Sequence, residues 1–211
     1  MNIESFVFNP FMENTYLAYD DTLECVIVDA GCLTVKEREK LRHAIEEKKL
    51  IVKHVINTHL HLDHVFGNGF VFHTFGVEPE AHAADEFLLD QLPAQSAVFG
   101  VPFNEKPQPI GHYLNDEDII SFGHSTLKTI HVPGHSPGSL CFYNDKDRIL
   151  FAGDVLFRGS IGRTDLPKGN YDQLISGIQK RLLTLPDNTL VYTGHGDSTT
   201  IGLEKRENPY L

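Results

Sequence analysis

Long apolar runs are missing from these 211 residues: no stretch approaches the roughly 20 that a bilayer span requires, which argues against a membrane-embedded protein. The opening MNIESFVFNP has Asn and Glu where a secretory leader needs a basic start and an apolar stretch, so a cytoplasmic location is expected. Cysteine is scarce. Cys25, Cys32 and Cys141 are odd in number and irregular in spacing, which fits neither a disulfide framework nor a paired CxxC zinc site, and buried thiols are expected. Basic residues are outnumbered 18 to 29 by acidic ones, so a surface that tracks nucleic-acid phosphates is disfavoured. There is no linker, low-complexity tract or tandem repeat, and a single domain over residues 1–211 is expected.

What is present is a series of short strand patterns broken by a few helices. IESFVF, TYLAYD and CVIVDAG, separated by the turns NPFMEN and DDTLE, read as an antiparallel meander. In TVKEREKLRHAIEEKKL, the near-helical spacing of Val35, Leu41, Ile45 and Leu50 behind Thr34 predicts an amphipathic helix capped by Thr34. A helix is expected to begin near His64, and VEPEAHAADEFLLDQL suggests a short strand and a second helix. PAQSAVFGVPFNEKP, between Pro93 and Pro109, reads as a long irregular segment, either a cover over a binding site or a plain surface excursion. Strand patterns recur in DIISFG, STLKTIHV, SLCFYN and RILFAGD, followed by the helix NYDQLISGIQKRLL, the strand TLVYTGHGD and the terminal helix TIGLEKREN. Strands alternate with helices in each half, which predicts an α/β (α+β) chain of sheets covered by helices.

The chemistry concentrates in NTHLHLDH, residues 57–64, where the strand pattern IVKHVI runs out. Imidazole nitrogen and carboxylate oxygen are ligands for zinc and similar divalent ions. His59 and His61 share one side of an extended segment because side chains there repeat with period two. Asp63 has the same parity, and a turn into the next helix swings His64 towards a second ion. Three later segments repeat one design, an apolar strand ending in a polar donor beside glycine: TIHVPGHSPGS gives His135, ILFAGD gives Asp154 and LVYTGHGD gives His195. Asp154 is the natural bridge, since a carboxylate has two oxygens for two ions. His43 and His54 read as surface or strand histidines, and His73, His82, His112, His124 and His131 lack ligand spacing.

THLHLDH, VPGHSPGSLCFY, LFAGDVLFRGSIGRTDLPKG and TGHGDSTTIGLEKRENPYL together resemble the metallo-β-lactamase superfamily, and within it the glyoxalase II-like hydrolases of the short bacterial form that lacks the C-terminal helical domain. The segment LPAQSAVFG also looks like that short form. The resemblance implies a four-layer αββα sandwich with two metals at one edge. His59, His61 and His135 would hold the first, Asp63, His64 and His195 the second, and Asp154 both. It also implies that Asp29 buttresses a ligand loop. The expected cofactors are two divalent ions, zinc first, with iron or manganese as alternatives. The expected activity is hydrolysis of an acyl-thiol ester, possibly glutathione-linked, by water activated between the ions. Asp63 would be the catalytic carboxylate, and the protein a monomer or homodimer. GSIGRTDLPKG and EKRENPYL also resemble persulfide dioxygenases, which use a single iron. A metal-stabilised binding protein is the non-enzymatic alternative. Arg163 and Asp165 are expected to form a structural pair, and Lys205 and Arg206 to answer a helix dipole.

Overall fold

The computed structural model describes residues 1–103 and 105–211; Asn104, inside the segment expected to be irregular, lies outside the described residues. The first sheet has the order β1 (Asn2–Phe8), β2 (Glu13–Tyr19), β3 (Glu24–Val28), β4 (Ile51–Ile56), β5 (Pro79–Ala81) and β6 (His112–Tyr113). β1 to β3 form the expected antiparallel meander, with Phe8 opposite Glu13 and Tyr16 opposite Val28. β4 then returns parallel to β3 after helix α1 (Val35–Glu47). Helices α2 (Leu62–Val65), α3 (Asn68–Phe75) and α4 (Phe87–Phe99) follow β4 and β5.

The second sheet begins with an antiparallel run of β7 (Ile119–Phe122), β8 (Ser125–His131), β9 (Leu140–Asn144) and β10 (Ile149–Gly153). The small hairpin β11 (Leu156–Phe157) and β12 (Ser160–Ile161) and helix α5 (Tyr171–Gly177) lead to β13 (Leu190–Thr193), which lies parallel to β10. The edge strand β14 (Thr199–Thr200) and helix α6 (Ile201–Glu207) end the chain, giving the order β14-β13-β10-β9-β8-β7.

The layers follow from alternation along the strands. Val26 and Val28 face the core between the sheets with Ile56, Phe142 and Phe151, while Cys25 and Ile27 face Leu41, Ala44 and Ile45 of α1 on the outside. In the second sheet Leu140 and Phe142 point inward, and Cys141 and Leu150 point outward to Leu174 and Ile178 of the α5 region. Each fully buried Leu, Ile or Phe contributes roughly 1.5–3 kcal/mol. The result is the expected αββα sandwich, and all three cysteines are buried free thiols.

Thr34 caps α1 as expected, in a reciprocal box: its Oγ1 accepts from Glu37 N at 3.2 Å, and Glu37 accepts from Thr34 N at 2.7 Å. Two members of the expected stripe differ. Val35 is 76 % exposed in the first turn, and Leu50 is buried beyond the end of the helix. The helix expected near His64 is two, α2 and α3. The irregular segment expected from Pro93 onward is also corrected, because α4 runs through Pro93 to Phe99 before Gly100 ends it. Proline forfeits one helical hydrogen bond, but Leu88, Leu89 and Leu92 are buried with Val101 on the apolar cluster beneath the ligand loop, and that packing carries the helix through. Glu13 and Asn14, read as part of a turn, open β2 and are buried.

Strands β3, β4, β10 and β13 all end at one edge of the sandwich. Tyr16 ties the sheets there by donating to Thr193 O at 2.6 Å, and Leu140 N donates to Thr58 O at 2.8 Å. At the other end of the strands, Asp20 accepts from Thr22 N (3.0 Å) and Thr22 Oγ1 (2.6 Å) in its own turn. It also accepts from His124 N (2.7 Å) and Ser125 Oγ (2.9 Å) of the second sheet. Burial works against its charge, but these four bonds outweigh it and hold the carboxyl below the ordinary 3.8, at about 2. A depressed folded-state pKa contributes stability that is complete above the ordinary value and lost as pH falls towards the folded one. Asp20→Ala is therefore expected to cost about 1–3 kcal/mol in denaturant unfolding at neutral pH. The deficit should shrink between pH 4 and 2, where the wild type loses the same contribution.

Candidate metal centre

The turn after β4 is set by Asn57, whose buried amide donates to His64 O at 3.0 Å and accepts from Asn68 Nδ2 at 2.8 Å. That clamp closes residues 57–64 into a compact loop that presents His59, His61, Asp63 and His64 on one side. The loop after β8 brings His135, the turn after β10 brings Asp154 and the turn after β13 brings His195. All seven donors expected from the sequence meet. The ligand atoms of His59, His61 and His135 form one cluster, those of Asp63, His64 and His195 another, and Asp154 groups with His59 and His64 between them.

The spacing suits cations. Two nitrogens on one tetrahedral zinc, each about 2.0–2.1 Å from it, stand roughly 3.3 Å apart. His135 Nε2 lies 2.9 Å from His61 Nδ1 and 3.2 Å from His59 Nε2. His195 Nε2 is 3.2 Å from Asp63 Oδ2. Asp154 faces both clusters, with Oδ2 at 3.6 Å from His135 Nε2 and 3.5 Å from His195 Nε2, and Oδ1 at 3.5 Å from His64 Nε2. His64 Nε2 and Asp154 Oδ1 are buried and have no hydrogen-bond partner among the described residues. Two buried polar atoms facing each other unbonded are costly, and a cation between them removes that cost.

Protonation favours the same occupant. Burial, and then the neighbouring imidazoles, push His59 well below the ordinary histidine value, and burial with His135 beside it pushes His61 down to about 3. Both are neutral donors at pH 7. Burial works against the charge of Asp63 and Asp154, but His64 and the other imidazoles hold both below the usual carboxylate range. Burial likewise opposes charging of His64 and His195, and the surrounding carboxylates outweigh it. The two carboxylates thus favour positive charge beside them.

Four histidines are fixed by what their Nδ1 touches. His195 Nδ1 meets Phe11 O at 3.0 Å, His135 Nδ1 meets Arg163 O at 2.8 Å and His64 Nδ1 meets Asp29 Oδ2 at 3.0 Å. Thr58 donates its hydroxyl to Asp29 at 2.7 Å and accepts from His59 Nδ1 at 3.0 Å. Each bond places the proton on Nδ1 and leaves Nε2 as the donor turned inward. Asp29 is thus behind the loop, where the resemblance put it. Thr58, Phe11 O, Arg163 O and Glu13 were not foreseen. Glu13 is wholly buried, takes a bond from Thr15 and pairs its backbone with His195, and burial drives its carboxyl well above the ordinary value. Backbone carbonyls leave no sequence signal, and Glu13 was hidden by its assignment to a turn. Arg163 and Asp165 do pair, with two bonds of 2.7 Å, and Lys205 is engaged by Asp187 at 2.5 Å.

The sequence profile described as the metallo-beta-lactamase superfamily matches residues 8–195. The chain belongs to the metallo-beta-lactamase superfamily. It is 40 % identical over 212 residues to the hydroxyacylglutathione hydrolase GloC of Haemophilus influenzae, an alignment covering 100 % of this chain and 98 % of that one. Among solved structures it resembles the BLEG-1 B3 metallo-beta-lactamase, with a TM-score of 0.89, 36 % identity and coverage of 100 % and 99 %. It resembles TTHA1623 in a di-iron-bound form equally well, with a TM-score of 0.88, 34 % identity and coverage of 99 % and 100 %. Family and donor set together support a metallo-hydrolase of the metallo-beta-lactamase superfamily, and the His/Asp clusters are consistent with a binuclear metal site. No helix among the described residues is long and apolar enough to cross a membrane.

Gly194 lies hard against the Asp154 carboxylate of this metallo-beta-lactamase site. A Cβ there would stand 2.1 Å from Asp154 Oδ1 and 3.0 Å from His64 Cε1. Gly194→Ala should displace the carboxylate that faces both clusters and weaken metal binding at least about tenfold, as seen for support residues of metal ligands. Competition with a chromophoric chelator measures this, and unchanged affinity would remove Asp154 from the ligand set.

Proposed function

We propose that the chain is a binuclear metal-dependent thioester hydrolase acting on acyl-glutathione-like substrates. The observation that carries the metal chemistry is the placement of Asp154 between two donor clusters. The substrate class draws support from the full-length similarity to GloC. His59, His61 and His135 would hold one ion and Asp63, His64 and His195 the other, with Asp154 shared. Zinc is the proposed metal, and iron or manganese the alternative. Bound divalent ions would supply Lewis acidity and bring the pKa of coordinated water to about 7.

The chain's own residues do the rest. Asp63, kept ionised by His64 and His195 despite its burial, would accept a hydrogen bond from the attacking water and fix its direction. The Nδ1 contacts of His59, His64, His135 and His195 hold four donor rings in one tautomer, so the centre needs little rearrangement during the reaction. Water adds to the thioester carbonyl, the carbon–sulfur bond breaks, and a carboxylic acid and a free thiol leave.

The test is metal analysis together with a substrate panel of acyl-glutathione, other acyl thioesters, a lactone and a β-lactam. Two ions per chain and preferential release of thiol from acyl-glutathione are expected. Asp63→Asn should lower kcat by about 10²–10⁴ with KM nearly unchanged. One iron per chain with sulfite formed from glutathione persulfide, and no thioesterase activity, would overturn the proposal. Activity confined to the β-lactam or the lactone would overturn the substrate class alone.

A further inference from the structure

We infer that Asp85 is a positioning residue that sets the affinity of one half of the metal centre and leaves the other half untouched. Asp85 ends a single helical turn, Ala83–Asp85, between β5 and α4, and is fully buried. Its carboxylate gathers three donors from two separate loops. Leu60 N donates to Oδ2 at 3.3 Å, Ser136 Oγ to Oδ2 at 2.7 Å and Gly138 N to Oδ1 at 2.6 Å. Leu60 is the residue between His59 and His61, and Ser136 directly follows His135. One buried side chain thus fixes the backbone beside all three nitrogens of a single cluster.

The fit around Asp85 is close. A Cβ at Gly138 would lie 2.6 Å from Asp85 Cγ, so the loop approaches the carboxylate only because residue 138 is glycine. Ser136 Oγ also lies 2.8 Å from the Ser139 hydroxyl, from which it accepts when its own proton is given to Asp85. No cation pairs with Asp85 among the described residues. Its bonds run only to neutral groups of the two loops, so what it supplies is their relative placement. Asp63, His64 and His195 are supported elsewhere: Asn9 Nδ2 donates to Asp63 O at 3.0 Å, Asp29 holds His64, and Phe11 O and the pairing with Glu13 hold His195. Losing Asp85 therefore loosens the placement of His59 and His61 against His135, which Leu140 N on Thr58 O would still tie, while leaving the other cluster in place.

The inference rests on the ligand division proposed above, and the experiment separates the two. Zinc binding to the metal-free protein is followed by chelator competition in the wild type, Asp85→Asn, Asp85→Ala and Ser136→Ala, with His135→Ala and His195→Ala as references. Cobalt absorption spectra provide a second readout of the same sites. The wild type is expected to bind in two resolvable steps. In Asp85→Ala the step abolished by His135→Ala should weaken about 10–100-fold. The step abolished by His195→Ala should stay within about twofold, and the cobalt spectrum should change only for the weakened site. Asp85→Asn and Ser136→Ala, which keep the shape and part of the bonding, should give smaller losses at that same step and carry the test if Asp85→Ala fails to fold. Equal weakening of both steps, or a lower unfolding temperature with both affinities unchanged, would make Asp85 a structural residue only and overturn the inference. A wild type that takes up a single ion would overturn the two-site reading itself.

Discussion

The Asp154 carboxylate has to stay ionised in a place almost without water, and most of this molecule is arranged around that requirement. A bare buried carboxylate is far too costly to persist, and this one is surrounded by imidazoles from three other chain segments, His64, His135 and His195. Those segments meet because β10 and β13 run parallel and end together, with Gly194 N donating to Gly153 O at 2.8 Å. The first sheet delivers its loop to the same edge through the parallel pair β3 and β4. The sandwich core positions this edge, and the helices cover its outer faces.

Around the seven donors lies a set of groups whose work is to remove freedom. Asp29 holds Thr58 and His64 together, two carbonyls hold His135 and His195, and Asn57 closes the ligand loop. Glu13 sits deeper, with a carboxyl that burial favours in its neutral form. Charge is therefore graded through the site, with ionised carboxylates where cations belong and a neutral one behind them. Dry surroundings strengthen each of these interactions, and rigid partners keep the donors turned inward.

Much of the plan was legible in local pattern. Period-two alternation marked the strands of both sheets, the Thr34 and Glu37 spacing marked the capping box, and HxHxDH with three glycine-flanked strand ends marked every donor of the centre. The failures have physical causes. Val35 belongs to the first turn of a helix whose buried stripe begins later, and the apolar contacts of Leu88, Leu89 and Leu92 outweigh the helix-breaking preference of Pro93. Glu13 and Asn14 look like turn residues because polar side chains in a wholly buried strand make no sense until their partners are known.

By itself the sequence determined which side chains are candidate metal donors and that each stands where a strand runs out, because both depend on residue type and on a period of two. Residue types and spacing left open which donors share a site; the family resemblance implied a division, and the tertiary structure brought the atoms together. His61 and His135 are 74 positions apart and touch at 2.9 Å through the pairing of sheets and the loops tied between them. It alone revealed Asp85, an unremarked aspartate in HAADEF that reaches both loops at once. Periodicity records the geometry of neighbours along the chain, whereas a clamp between distant loops is made by bonds that no short stretch of sequence contains.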